Sequence, residues 1–140
     1  LHDEYDDLLL RLLPGLLEQL GPFAATEHAM AVFMPAHLSD PRMRGRVRLW
    51  FDHPSVRAAG YLLIDEMSDE MARLVTDASR GDYTPSQARA VVGGLVGAVI
   101  TALRDWHENG AEDDLTAMIT GGLQALRRAL AAGPPAGELS

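Results

Sequence analysis

An uncharged run from Ala90 to Leu103, with helix-boundary signals on both sides, strongly limits the folds that this chain can adopt. Thr84 is placed to cap a helix N-terminus, Pro85 suits the first helical position, and Gln87 completes a capping box. Asn109-Gly110 is typical of a helix end. The pattern predicts a helix of about 24 residues whose middle is apolar on every side.

A helix that is apolar all round must also be covered all round. The uncharged run is about 14 residues, shorter than the roughly 18–20 that cross a bilayer, so we expect the cover to be protein and no membrane to be involved. A chain of 140 residues forms one domain, with few helices of its own to supply that cover. A second copy of the chain is the obvious source, and we therefore expect a homodimer.

The amino-acid composition argues against several classes of function. The chain has no cysteine, which excludes disulfides, thiolate metal sites and a cysteine nucleophile. Its net charge of −8 disfavours DNA binding through this surface, because phosphate contacts need a concentrated positive face. All twelve basic residues are arginine, a bias typical of a GC-rich bacterial genome. The sequence carries no recognisable signal peptide, and we expect a cytoplasmic protein.

Apolar periodicity predicts an all-α fold, an antiparallel helical bundle with no strand. We expect helices over residues 3–13, 23–38, 42–51, 54–79, 85–109 and 112–131. Pro14-Gly15 should break or kink the first helix, a further turn should run to Leu20, and Gly21-Pro22 should separate it from the second. The last two helices are joined by few residues and should form an antiparallel hairpin. Residues 132–140 are expected to be a disordered tail.

Glycines are concentrated in the final hairpin. Gly93, Gly94 and Gly97 lie in the long apolar helix, and Gly121-Gly122 lie in the last one. Each glycine costs about 1 kcal/mol in a helix interior, so the cluster predicts that another backbone approaches closely. The alternative is a loosely packed helix in an Ala- and Gly-rich sequence.

The polar residues give no support for catalysis or metal binding. In the helix expected over residues 54–79, the apolar stripe consists of Val56, Gly60, Leu63, Met67, Met71, Leu74 and Ala78. The carboxylates of Asp65, Glu66, Asp69 and Glu70 fall away from this stripe and fit a solvated helix face. The histidines are scattered, without the Glu-x-x-His or His-Glu-x-x-His spacing of metal sites in helices. The chain has neither a Gly-rich phosphate loop nor a Gly-x-Ser-x-Gly elbow. We expect no catalytic residue, no metal and no cofactor.

The order of these segments resembles the C-terminal regulatory domain of TetR-family transcriptional regulators. The resemblance rests on the His-Pro-Ser-Val-Arg-Ala segment, on Thr84 to Val99, and on Leu103-Arg104-Asp105-Trp106 before an amphipathic last helix. It covers about residues 1–131, which would form one ligand-sensing and dimerisation domain. The family's N-terminal helix-turn-helix is absent, so DNA would be contacted only through that missing domain.

The resemblance implies that the last two helices of each protomer build a four-helix dimer interface and that the earlier helices enclose an effector pocket. We expect a small apolar or aromatic effector. The expected pocket residues are Phe33, His37, Trp50, Tyr61 and Met67. The expected interface residues are Gly93, Gly97, Ile100, Arg104, Leu115, Met118, Gly122 and Leu126. The alternative is a free-standing dimeric protein-interaction module that has no small-molecule effector.

Overall fold

The computed structural model describes residues 4–132, apart from the side chains at positions 4–6, 9, 33, 36, 37 and 132. Most of the expected tail, residues 133–140, lies outside the described residues. Five helices follow one another: α1 (Glu4–Leu38), α2 (Pro41–Asp52), α3 (Pro54–Ala78), α4 (Pro85–Glu108) and α5 (Leu115–Ala132). They pack against each other as a bundle with no strand in the described part of the chain, and the all-α prediction is confirmed.

Helix α4 has the predicted boundaries. Its capping box is formed in both directions: the Gln87 amide donates to the Thr84 hydroxyl at 3.2 Å, and the Thr84 amide donates to the Gln87 side-chain oxygen at 2.9 Å. Pro85 occupies the first turn, where its missing N–H costs nothing. The helix runs to Glu108, and Gly110 follows with a φ of 89°, a conformation that favours glycine.

Helix α1 contains the main departure from the sequence prediction. The break expected at Pro14-Gly15 is wrong, because the helix continues through that pair and turns non-helical only at Gly21. Gly21 has φ 77° and ψ 171°, a region essentially restricted to glycine. Proline only removes one helical hydrogen bond and crowds one carbonyl, whereas the Gly21 backbone leaves the helical region altogether. The kink lies at the Gly21-Pro22 pair, where the sequence predicted a separation, and it divides α1 into an arm, Glu4–Leu20, and a second part, Pro22–Leu38.

The short helix α2 is fixed at its start by Asp40. This carboxylate accepts a hydrogen bond from the Arg42 amide at 3.0 Å and contacts the Arg42 guanidinium at 3.1 Å. The hydrogen bonds from Arg42 lower the pKa of Asp40 below its ordinary value. The capped end sets the direction in which α2 leaves α1 and crosses α3 and α4.

The α4–α5 hairpin is closed by a buried tryptophan. The indole N–H of Trp106 donates to the carbonyl oxygen of Asp113 at 3.0 Å, and Trp106 is only 2% exposed. Helix α5 begins at Leu115 and not at residue 112, because the preceding residues form the turn and Asp114 caps the helix by accepting from the Ala117 amide at 3.1 Å. The predicted hairpin is present.

Two groups of buried side chains form the core. One lies at the base of the hairpin and includes Trp106, Leu115, Ile119 and Leu123. The other joins the arm to α3 and α4, and comprises Leu13, Leu17, Ala25, Ala72, Val75, Ala88 and Val92. The predicted apolar stripe of α3 is wrong at its N-terminal end, where Val56 and Leu63 are exposed and Ile64 faces inward.

Candidate ligand-binding site

A cavity of about 300 Å³ lies where α1, α3 and α4 converge, and we call it the inner cavity. It borders both groups of core side chains. Its lining comprises Leu13, Leu17, Thr26 and Met30 of α1, Ile64, Met67, Ser68, Met71 and Val75 of α3, and Val92, Leu95, Val96, Val99, Ile100 and Leu103 of α4.

The lining follows from helical spacing on two of these helices. On α3 the steps from Ile64 through Ser68 and Met71 to Val75 are four, three and four residues. On α4 the steps through Val92, Leu95 or Val96, Val99 and Leu103 have the same periodicity. Each helix therefore turns one continuous apolar face to the cavity. The side chains that meet there are large, yet the crossing of three helices leaves a space that they do not fill.

The inner cavity is almost entirely apolar. Among the described residues, the lining hydroxyls belong to Thr26 and Ser68, and none of the described lining residues is charged. The Thr26 hydroxyl already donates to the carbonyl oxygen of Pro22 at 2.7 Å. A molecule that enters gains apolar contact and few directed hydrogen bonds, so the site suits an apolar ligand.

A second cavity of about 210 Å³ lies beneath α2, and we call it the outer cavity. Its lining comprises Met43, Arg46, Val47, Trp50 and Phe51 of α2, together with Ile64, Ile100 and Leu103. Arg46 is the one charged side chain among the described residues that line it. Ile64, Ile100 and Leu103 also line the inner cavity, so the two spaces adjoin at these three side chains.

Aromatic contacts hold α2 over the outer cavity. The ring of Trp50 meets that of Tyr61 edge-on, with centroids 5.2 Å apart. The next residue along α2, Phe51, stacks on His107 with ring centroids 5.3 Å apart. His107 Nε2 lies 3.1 Å from a carboxylate oxygen of Asp52. These contacts join the C-terminal turn of α2 to both α3 and α4.

The structure separates the five residues that the sequence led us to expect in the pocket. Met67 lines the inner cavity and Trp50 lines the outer one. Tyr61 lies outside both, at a shallow cleft on α3, and is 40% exposed. The side chains of Phe33 and His37 lie outside the described residues. Sequence reasoning missed Ile64, Met71 and the α4 lining, whose signal was the shared helical spacing of α3 and α4.

The residues expected at a dimer interface also divide. Gly97, Met118, Gly122 and Leu126 line an open groove between α4 and α5, together with Gly94, Ala98, Thr101, Ala102 and Asp105. Gly93 is exposed, with nothing within 4 Å of the position its Cβ would take. By contrast, Ile100 lines the two cavities, Leu115 is 1% exposed within the protomer, and the Arg104 guanidinium lies 6.0 Å from the centre of the Phe51 ring.

Helix α4 is long and apolar enough to cross a membrane by length and composition alone. The uncharged run on its own did not indicate this. Only 22% of the most apolar 18-residue stretch of α4 is buried inside the protomer. A core helix of a soluble protein passes the same test of length and composition. Every valine, leucine and isoleucine of α4 is at least half-buried by its own chain, and the exposed positions between Ala90 and Leu103 hold small residues: Ala90, Gly93, Gly97 and Thr101.

Comparison with known proteins adds one match. A family model described as the MftR C-terminal domain, of the TetR C-terminal type, matches residues 20–131. No curated protein and no solved structure matches the chain significantly. The matched range begins one residue before the kink at Gly21 and ends within α5, so it contains α2, α3, α4 and the second part of α1.

Proposed function

Since this chain belongs to the TetR family of C-terminal regulatory domains, we propose that it is the effector-binding and dimerisation domain of a TetR-like transcriptional repressor. TetR C-terminal domains belong to transcription regulators, which are not enzymes. In this proposal a small molecule binds the domain and changes the DNA affinity of a separate N-terminal reader. The net charge of −8 favours such a division, because this surface is poorly suited to phosphate contacts. A cytoplasmic location follows from the role.

The inner cavity is the observation that carries the proposal. Its volume of about 300 Å³ falls at the lower end of ligand pockets, which span roughly 300–1,000 Å³. The site is partly open to solvent, since its lining residue Met67 is 43% exposed, so an apolar ligand would take apolar side chains out of contact with water. Its lining predicts an effector that is small and apolar or aromatic.

The placement of the cavity supports a route from ligand to DNA reader. Leu13 and Leu17 reach it from the arm of α1, before the kink, whereas Thr26 and Met30 reach it from beyond the kink. A bound molecule therefore touches α1 on both sides of Gly21. A ligand that fits one arm angle better than another shifts the population toward that angle. The arm would transmit the change to the DNA-binding domain.

Homodimerisation through α4 and α5 is the second part of the proposal. The groove between these helices is lined by small residues, among them Gly94, Gly97 and Gly122, which permit close approach of another backbone. The exposed positions here include Gly93, Gly97 and Thr101, whose small size supports close packing of a second copy on this face. We propose an interface that includes Gly93, Gly97, Met118, Gly122 and Leu126. Arg104 would lie at its edge, whereas Ile100 and Leu115 would support the helices from inside the protomer.

A thermal-shift screen tests the sensor function, with small apolar and aromatic compounds as probes. A compound at a hundredfold excess over its dissociation constant stabilises the fold by about 2.7 kcal/mol. The variant Val96→Phe places a larger side chain in the inner cavity and should abolish the shift. The matched control Val32→Phe alters a side chain on α1 that is 54% exposed, and it should leave the shift intact.

The alternative is a dimeric protein-interaction module. It is favoured by Leu62 and Leu63 on α3, which are 70% and 51% exposed. If no compound raises the melting temperature, and Val96→Phe is as stable as the unmodified domain, the cavity has no ligand role and this alternative replaces the sensor. A shift that persists in Val96→Phe as it does in Val32→Phe would place ligand binding elsewhere on the domain.

A further inference from the structure

The inner and outer cavities are two neighbouring spaces that share part of their lining. Three side chains line both: Ile64 of α3, and Ile100 and Leu103 of α4. We call these three residues the partition. They stand on the two helices that pack side by side along the whole site, and α2 closes the outer cavity from above.

We infer that the partition sets the length of ligand that this domain accepts, and that the natural ligand is a compact apolar molecule confined to the inner cavity. The inference rests on the proposed function and specifies its ligand class. Isoleucine is suited to this role because its branched Cβ leaves one strongly preferred side-chain rotamer in a helix. Two such side chains, one from each helix, cannot easily swing aside to admit a longer molecule.

The surroundings of the partition also resist movement. Leu103 packs against the hairpin core that contains Trp106 and Ile119. On the outer side, Trp50 rests against Gly60 of α3, and Phe51 is fixed by its stacking on His107. A molecule that entered the outer cavity would have to displace Ile64, Ile100 or Leu103, which are packed against these neighbours. The outer cavity is therefore a separate space, next to the ligand site and outside its reach.

A homologous series of straight-chain alkanols provides the probe, because each added methylene extends the molecule without changing its chemistry. Isothermal titration gives the affinity at each length. In the unmodified domain affinity should rise about fourfold for each methylene while the chain fills the inner cavity. The rise should then stop, and affinity should fall for longer chains. Binding of the short members tests the proposed function, and the length at which the rise stops tests the partition.

Opening the partition should lengthen the accepted chain. In Ile100→Ala, and independently in Ile64→Ala, the affinity for alkanols should keep rising for at least two methylenes beyond the length at which it stops rising in the unmodified domain. The control Met71→Ala enlarges the inner cavity without touching the outer one. A melting temperature for each variant shows that it is folded, and the two positions lie on different helices, so the failure of one variant leaves the other available.

The tryptophans supply an independent readout of where the longer chain goes. Trp50 lines the outer cavity, whereas Trp106 lines neither cavity, and the chain has no third tryptophan. Long alkanols should shift the emission of Ile100→Ala and Ile64→Ala but not that of Met71→Ala or the unmodified domain. When Val47→Phe is combined with Ile100→Ala or Ile64→Ala, the new phenyl ring fills the outer cavity, and the longer alkanols should no longer bind more tightly.

Three results decide the matter. If short alkanols bind but affinity in the unmodified domain rises without a break, or breaks at the same length in Ile100→Ala and Ile64→Ala, the partition is not a length filter while the sensor function stands. If long chains already shift Trp50 emission in the unmodified domain, the cavities are connected and the inference is overturned. If no alkanol binds any variant, the sensor function itself fails, and the partition with it.

Discussion

The indole ring of Trp50 lies directly against the α-carbon of Gly60, so that a side-chain atom added to Gly60 would overlap the ring. This contact joins α2 to α3 at the wall of the outer cavity. It also explains a glycine in the middle of a helix, where glycine costs about 1 kcal/mol relative to alanine. The position of α2 therefore depends on residue 60 being a glycine, which has no side chain.

Gly60→Ala should therefore destabilise the domain despite the better helix propensity of alanine. Displacing a packed aromatic ring costs typically 1–3 kcal/mol, which exceeds the gain in propensity. Urea denaturation gives the free energy of unfolding. The control Gly45→Ala lies in α2, where no atom is within 4 Å of the added Cβ, and it should be neutral or stabilising. Equal stability of the two variants would contradict the packing described for Trp50.

The kink in α1 gives a second prediction. Gly21→Ala should lower the free energy of unfolding by about 1–3 kcal/mol, because φ 77° with ψ 171° is strained for any residue with a Cβ. Gly15→Ala is the matched control: it lies in the same arm, has helical backbone geometry and has no atom within 4 Å of its added Cβ. The control should gain up to about 1 kcal/mol. A Gly21→Ala domain as stable as Gly15→Ala would mean that α1 does not need this kink.

The closure of the hairpin by Trp106 gives a third prediction. Trp106→Phe retains an aromatic ring but loses the indole N–H that donates to the Asp113 carbonyl. The loss of that bond, with its carbonyl left buried or re-solvated, should cost about 1–3 kcal/mol. Urea denaturation again measures it, with Leu130→Ala as control because Leu130 is 66% exposed. A Trp106→Phe domain that unfolds at the same urea concentration as the control would show that the bond contributes little.

Substitution in the α4–α5 groove tests the proposed dimer. Gly97→Arg places a long charged side chain where a second backbone is proposed to approach, and it should convert the dimer to a monomer in light scattering at micromolar concentration. Gly45→Arg introduces the same side chain at an exposed position on α2 and should leave the mass unchanged. A monomeric unmodified domain, or a Gly97→Arg domain of unchanged mass, refutes the interface.

Local chemistry made α4 and the hairpin predictable from the sequence. The capping box at Thr84 and the Asn109-Gly110 stop act through neighbouring backbone atoms, so no tertiary knowledge was needed. The break expected at Pro14 was wrong because a proline has a fixed local effect that tertiary packing can absorb. The break expected at Gly21-Pro22 is confirmed, because a glycine followed by a proline combines a freely accessible positive φ with a residue that cannot donate a helical hydrogen bond.

The candidate site was much less predictable. Aromatic and methionine residues drew attention to Trp50, Tyr61 and Met67, but only two of these line a cavity. A cavity arises where three helices fail to fill the space between them, which depends on crossing angles and not on residue type. Ile64 shows the difficulty: it lies one step from the expected stripe of α3 and yet faces both cavities. Periodicity gives the face of a helix only to within about one residue.

We propose that the inner cavity binds a small apolar molecule, and the methionine methyl groups give the most direct test of this proposal. The chain has six methionines. Met30, Met67 and Met71 line the inner cavity, Met43 lines the outer one, and Met118 lies in the α4–α5 groove. Met34 lies in the core at the base of the hairpin. Carbon-13 labels on the methyl groups therefore distinguish the inner cavity, the outer cavity and the groove.

The measurement is a methyl NMR titration of the unmodified domain with the compound that gives the largest thermal shift. We expect the chemical shifts of the Met30, Met67 and Met71 methyl groups to change together, with one dissociation constant. The chemical shift of the Met118 methyl group should not change. Saturable movement of the Met118 signal alone, with the three inner-cavity signals unchanged, would contradict the proposal.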